Sequence, residues 1–119
     1  MLIEFTKPDF VFENECGSLK QLVHDGWKQI NVITSVKDSV RGGHYHKYNK
    51  EGFYIVSGSF KLTVWKDELK EEYEIKPGDF FCIFPFVFHT FEYHEDTVLV
   101  SMYSNGVELS ETEKDIWTE

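Results

Sequence analysis

Cysteine is scarce in this chain, and the two present, Cys16 and Cys82, stand far apart and outside any C-x-x-C pair. Neither a disulfide framework nor a zinc knuckle is indicated, and Cys82, set within an apolar run, reads as core. Positive charge is also short: 12 Lys and Arg against 21 Asp and Glu leave a net charge of −9. That balance argues against a nucleic-acid partner, which needs a basic face for the phosphate backbone. It leaves room for one phosphorylated small molecule, because Arg41, Lys47 and Lys50 gather in one stretch while much of the acid lies at Asp67 to Glu74 and Glu108 to Glu119. Long apolar runs are missing too. The longest, Phe80 to Phe88, is broken by Pro85 and is too short to span a bilayer as a helix. The opening Met1-Leu2-Ile3-Glu4-Phe5 carries an acid where a signal peptide would have a basic region, so no membrane and a cytoplasmic location are expected.

What the chain has in quantity is aromatic surface, with 11 Phe, 6 Tyr and 3 Trp in 119 residues. Such side chains suit half-buried pleated sheets better than helices. The expected class is all-β, in a single domain of residues 1–119, long enough to bury one core without disulfide staples. Short strands are expected over Leu2 to Phe5, Phe10 to Phe12, Leu19 to Val23 and Trp27 to Val36. Further strands follow at Val40 to Lys47, Phe53 to Val56, Phe60 to Lys66, Leu69 to Ile75, Phe80 to Phe84, Phe86 to Tyr93 and Thr97 to Tyr103. Lys76-Pro77-Gly78-Asp79 is a strong turn, with proline preset for its second position and glycine supplying positive φ at its third. Continuous apolar residues at Phe80 to Phe84 and Val98 to Val100 imply burial on both faces, as in a barrel wall covered by a dimer partner. Ser110-Glu111-Thr112-Glu113 is a capping-box pattern and predicts one short helix over Glu111 to Trp117.

One stretch carries chemistry. His44 and His46, at i and i+2, project from the same face of a strand, and Glu51 follows where an adjacent antiparallel strand could return its carboxylate to the same point. A third imidazole is available at His89, on the same face of its strand as Val87 and Phe91. His24 and His94 read as surface residues. Three neutral imidazoles and one carboxylate could bind Zn²⁺, Fe²⁺, Mn²⁺ or Ni²⁺, and ligand type alone does not choose the ion. A histidine titrating near neutrality is equally suited to take a proton without a metal.

Taken together, these residues resemble the cupin superfamily. Its first motif, G-x5-H-x-H-x(3,4)-E-x6-G, is matched by His44, His46, Glu51 and Gly58, with Asp38 where the leading glycine is usual. Its second motif, a P-G-D turn with a histidine eleven residues after the glycine, is matched by Pro77-Gly78-Asp79 and His89. Pro85 is one position late, the glycine usually after it is missing, and Tyr93 stands in place of asparagine. The fold this resemblance implies is a double-stranded β-helix, the jelly-roll barrel.

Within the superfamily, Arg41-Gly42-Gly43-His44-Tyr45-His46-Lys47 is similar to motifs of dTDP-4-dehydrorhamnose 3,5-epimerases and dTDP-hexose 3,4-ketoisomerases. His44 to Glu51 with Phe53 also resembles the zinc-carrying C-terminal cupin domain of capsular-polysaccharide epimerase/reductases. The resemblance implies a homodimeric isomerase of a 4-keto-6-deoxy sugar nucleotide in surface-polysaccharide biosynthesis, needing no organic cofactor. His44 would be the base, with Tyr103 or His46 returning the proton. Arg41 would grip the diphosphate with a two-pronged contact, and Lys47 would assist in binding. His44, His46, Glu51 and His89 would be the ligands of any metal. The rivals are a metal-dependent cupin of another class, such as an oxygenase, and a module that binds a sugar without converting it.

Overall fold

In the computed structural model the described residues are Met1 to Thr118, and they form twelve strands and no helix. These are β1 (Ile3–Phe5), β2 (Phe10–Asn14), β3 (Gly17–Gln21), β4 (Gln29–Ser35), β5 (Val40–Tyr45) and β6 (Glu51–Ser57), followed by β7 (Phe60–Lys66), β8 (Leu69–Ile75), β9 (Phe80–Ile83), β10 (Phe88–Tyr93), β11 (Thr97–Tyr103) and β12 (Trp117–Thr118). Two antiparallel five-stranded sheets are built, in the orders β1-β9-β6-β11-β4 and β12-β5-β10-β7-β8, while β2 and β3 pair only with each other. The core lies between the sheets. Phe53 and Ile55 of β6 and Leu99 of β11 meet Phe60, Leu62 and Val64 of β7 and Phe91 of β10. The Phe53 and Phe91 rings stand 5.0 Å apart edge to face, an aromatic contact made between the two sheets. This is the jelly-roll architecture the motifs imply.

Two expectations need correction. The short helix over Glu111 to Trp117 does not form. Its cap does, since Ser110 Oγ accepts from the Glu113 amide at 3.1 Å, but the amides of Leu109 and Ser110 both turn to the Glu113 carbonyl and close a tight loop instead. So short a helix has little stability of its own, and the competing extended path buries Asp115 completely and adds β12 beside β5. The second correction concerns the two apolar runs: the four residues of β9 are buried within the chain, but Phe84 is exposed and Val98 and Val100 are only half-buried. Phe80 packs edge to face on Tyr54, and the Thr6 amide donates to its carbonyl.

Two positions of the motifs keep a glycine conformation without glycine. Asp38 has φ 69°, and so has Phe86, directly after Pro85. The first is tolerable for an aspartate; the second is strained for an aromatic residue. Phe86 is held there because its amide donates to the His46 carbonyl at 2.7 Å and its ring stacks on Tyr45. Among the described residues no helix is long and apolar enough to cross a membrane.

Candidate active site

Arg41 and His44 are three residues apart, so a regular strand would send them to opposite faces. The pairing of β5 with β10 corrects this: His44 faces His89 and Gly42 faces Thr90, which leaves Gly43 as the extra residue of a bulge. Gly42 and Gly43 have φ of 126° and 79°, and a Cβ on Gly42 would collide with the His89 backbone. The double glycine therefore lets β5 lie against β10 and returns Arg41 and His44 to one cavity.

Past the end of β5, His46 joins the group. The ring centroids of His44, His46 and His89 are 4.9 to 5.6 Å apart, and their ligand nitrogens all lie within 4.8 Å of one another. Glu51 opens β6 and adjoins this trio, its Oε1 2.9 Å from His46 Nε2 and 3.7 Å from His89 Nε2. A carbonyl can only accept, so the remaining contacts decide where protons sit. His46 Nδ1–H donates to the Asp115 carbonyl at 2.6 Å, and His89 Nδ1–H to the Val87 carbonyl at 3.2 Å. Both rings thus direct Nε2 inward.

Burial governs the electrostatics. It pushes His89 down to about 3, helped by the neighbouring His46 and His44, so this ring is neutral at physiological pH. Burial and His46 also lower His44 against a weaker opposing hydrogen bond to the Gly42 backbone, which leaves His44 neutral and able to accept a proton. Glu51 is raised by burial despite its contacts with His46 and Tyr103. His46 is raised as well: burial opposes its charge, but Glu51 and Asp115 outweigh it. The pair therefore retains a proton between them. Tyr103 is pushed far up by burial and by Glu51, with which it shares a hydrogen bond, so its hydroxyl keeps its proton.

These groups surround a cavity of about 390 Å³, whose lining includes Arg41, His44, Glu51, His89, Tyr93 and Tyr103. Arg41 alone among its described lining residues carries a permanent positive charge. Its Nε donates to Ser35 Oγ at 2.8 Å and its Nη2 to the Thr34 carbonyl at 3.1 Å, which orients the guanidinium. Lys47 is not among the lining residues; its ammonium stands 3.8 Å over the Trp117 ring. His24 and His94 are exposed and each meets a carboxylate, Asp9 and Glu74. Sequence reasoning missed Ser35, Ile116 and Asp115. No periodicity marks them, and only the Arg-Gly-Gly string hinted at the bulge.

A model of the cupin domain matches residues 32–104, more than half the chain and the whole of this site apart from the Asp115 segment. The chain belongs to the cupin family. No curated protein matches this cupin, but solved structures do. A double mutant of the 3,4-ketoisomerase QdtA from Thermoanaerobacterium thermosaccharolyticum, in complex with TDP, is 26% identical with a TM-score of 0.77, covering 99% of this chain and 88% of QdtA. WlaRA, a TDP-fucose-3,4-ketoisomerase from Campylobacter jejuni, is 16% identical with a TM-score of 0.78, covering 100% and 90%. The capsular polysaccharide assembling protein CapF from Staphylococcus aureus is 19% identical with a TM-score of 0.68, covering 92% of this cupin but 33% of CapF.

Proposed function

We propose that this cupin is an isomerase of nucleotide-linked 4-keto-6-deoxy sugars, working in surface-polysaccharide biosynthesis in the cytoplasm. The observation that carries the reading is Arg41 and a neutral His44 on one cavity wall, brought there by the Gly42-Gly43 bulge. Ketoisomerase relatives, one of them holding TDP, support the substrate class. The sugar would occupy the cavity with its diphosphate against the free edge of the Arg41 guanidinium. His44 takes the proton on the carbon beside the ketone and the C–H electron pair moves into an enolate; a proton returned to the same carbon from the opposite side gives epimerisation, and one returned to the former carbonyl carbon, with the hydroxyl proton passing between the two oxygens, moves the ketone. Tyr103 is a suitable donor because it retains its proton and is tied to Glu51; His46 is the other.

The same residues fit a divalent ion, Zn²⁺, Fe²⁺, Mn²⁺ or Ni²⁺: two imidazoles have Nδ1–H tied to carbonyls and Nε2 turned inward, and an ion would displace the proton that His46 Nε2 shares with Glu51. His44, His46 and His89 would hold it, with Glu51 beside them, and a bound ion would supply Lewis-acid polarisation of a ketone oxygen. This compact trio also favours a second reading, a metal-dependent cupin of oxygenase type, for which stoichiometric iron with oxygen consumption would speak. A homodimer is part of the proposal. The β2–β3 hairpin is exposed at every residue yet presents Phe10, Val11, Phe12 and Leu19, and an isolated two-stranded hairpin is marginal in water. A second copy would cover it, and a monomer at all concentrations in sedimentation would contradict that.

The deciding experiment incubates the protein with dTDP- and UDP-4-keto-6-deoxy sugars in deuterium oxide. Deuterium should enter the carbon beside the ketone, and His44→Asn should slow entry by roughly 10²- to 10⁴-fold. No uptake from any of these sugars would overturn the reading.

A further inference from the structure

We propose that Asp115 is the positioning residue of this site: its carboxylate anchors the backbone after His46, and its carbonyl fixes the His46 tautomer that turns Nε2 toward Glu51. The inference rests on His46 being a working residue, as read above.

Asp115 is completely buried, yet among the described residues it forms no salt bridge. Its carboxylate instead accepts four neutral donors: the Lys47 and Tyr48 amides and Asn49 Nδ2, each at 2.8 Å, and the Trp117 indole at 2.7 Å. Removing a carboxylate from water is costly unless its hydrogen bonds are replaced, and here three of the four replacements come from the residues directly after His46. Asn49, itself buried, extends the grip by accepting from the Asn105 and Gly106 amides and donating to the Gly106 carbonyl.

The segment beyond β11 therefore holds the turn between β5 and β6 from outside, and the holding has a chemical direction. The Asp115 carbonyl lies 2.6 Å from His46 Nδ1 and can only accept, so it requires the proton there. Nε2 is then left to face Glu51 Oε1 at 2.9 Å. Were Asp115 merely a staple for the chain end, its carboxylate contacts would suffice and the ring would need no part in them. The next residue, Ile116, lines the cavity, so the same segment also supplies wall.

Nitrogen NMR of the histidine rings in the full chain tests this without requiring turnover. Wild-type His46 should always carry a proton at Nδ1, with Nε2 the only position that shares one with Glu51. Asp115→Ala keeps the carbonyl but removes the carboxylate that anchors it against Nδ1, so it should give a tautomer mixture and lower kcat for proton exchange by about 10- to 100-fold, with a smaller change in KM. Should Asp115→Ala not fold, Trp117→Phe removes one of the four donors and should show the same changes to a lesser degree. Wild-type His46 protonated at Nε2 alone, or a folded variant with His46 still wholly Nδ1-protonated, would overturn the proposal. Because the ring signature is read with no substrate present, failure of the sugar assay and failure of this inference are separable.

Discussion

Two histidine–carboxylate contacts in this cupin are nearly equal in length and opposite in setting. His46 meets Glu51 at 2.9 Å with side chains 3% and 6% exposed; His94 meets Glu74 at 2.8 Å with side chains 48% and 70% exposed. On the rim, water and salt screen the contact, and such pairs contribute little. Inside, burial raises Glu51 and Glu51 raises His46, so a proton is held between two side chains, one of which, Glu51, lines the cavity. The contact itself is therefore uninformative; the environment decides whether it is chemistry or surface.

The largest expected effect breaks the comparison directly. Glu51→Ala strips the buried pair of one member and should cost about 3 kcal/mol in urea unfolding, whereas Glu74→Ala should leave the unfolding midpoint unchanged. Equal effects would mean that burial does not distinguish the two contacts. Acidification sharpens the point for His89, the buried imidazole beside this pair. His89 binds its proton at about 3 when folded against 6.5 ordinarily, so between these values the unfolded chain binds more protons. Its contribution to stability is complete above about pH 6.5 and falls by up to about 1.4 kcal/mol per unit as pH drops toward 3. His89→Asn should flatten that slope in chelator-treated protein. The smallest effect concerns strain beside the buried pair: Phe86→Gly relieves φ 69° but loses the ring stacked on Tyr45, for a net gain of no more than about 1 kcal/mol.

Much of the site was legible because its signals are local. The H-x-H pair follows from strand period, Glu51 from the turn that leads back into the sheet, and His89 from its distance to the Pro77-Gly78-Asp79 turn. The jelly roll was legible through those motifs together. Even where glycine is missing, Asp38 and Phe86 keep the backbone conformation the motifs use. Other readings failed for an identifiable reason. The capping box at Ser110 made its local hydrogen bond, but long-range burial of Asp115 outweighed a helix too short to stand alone. The position of Lys47 was not legible either: it follows His46 in the motif, and its ammonium lies over Trp117.

The sequence by itself determined the β class and the identity of the three imidazoles and the acid, because strand alternation and turn chemistry act over a few residues. Only the tertiary structure decided how those groups are held and charged. Asp115 reaches His46 across 69 positions and Tyr103 is paired with Glu51 across the sheet. Burial and the contacts that oppose it, which together set the protons in the site, are properties of the packed chain and of no short stretch within it.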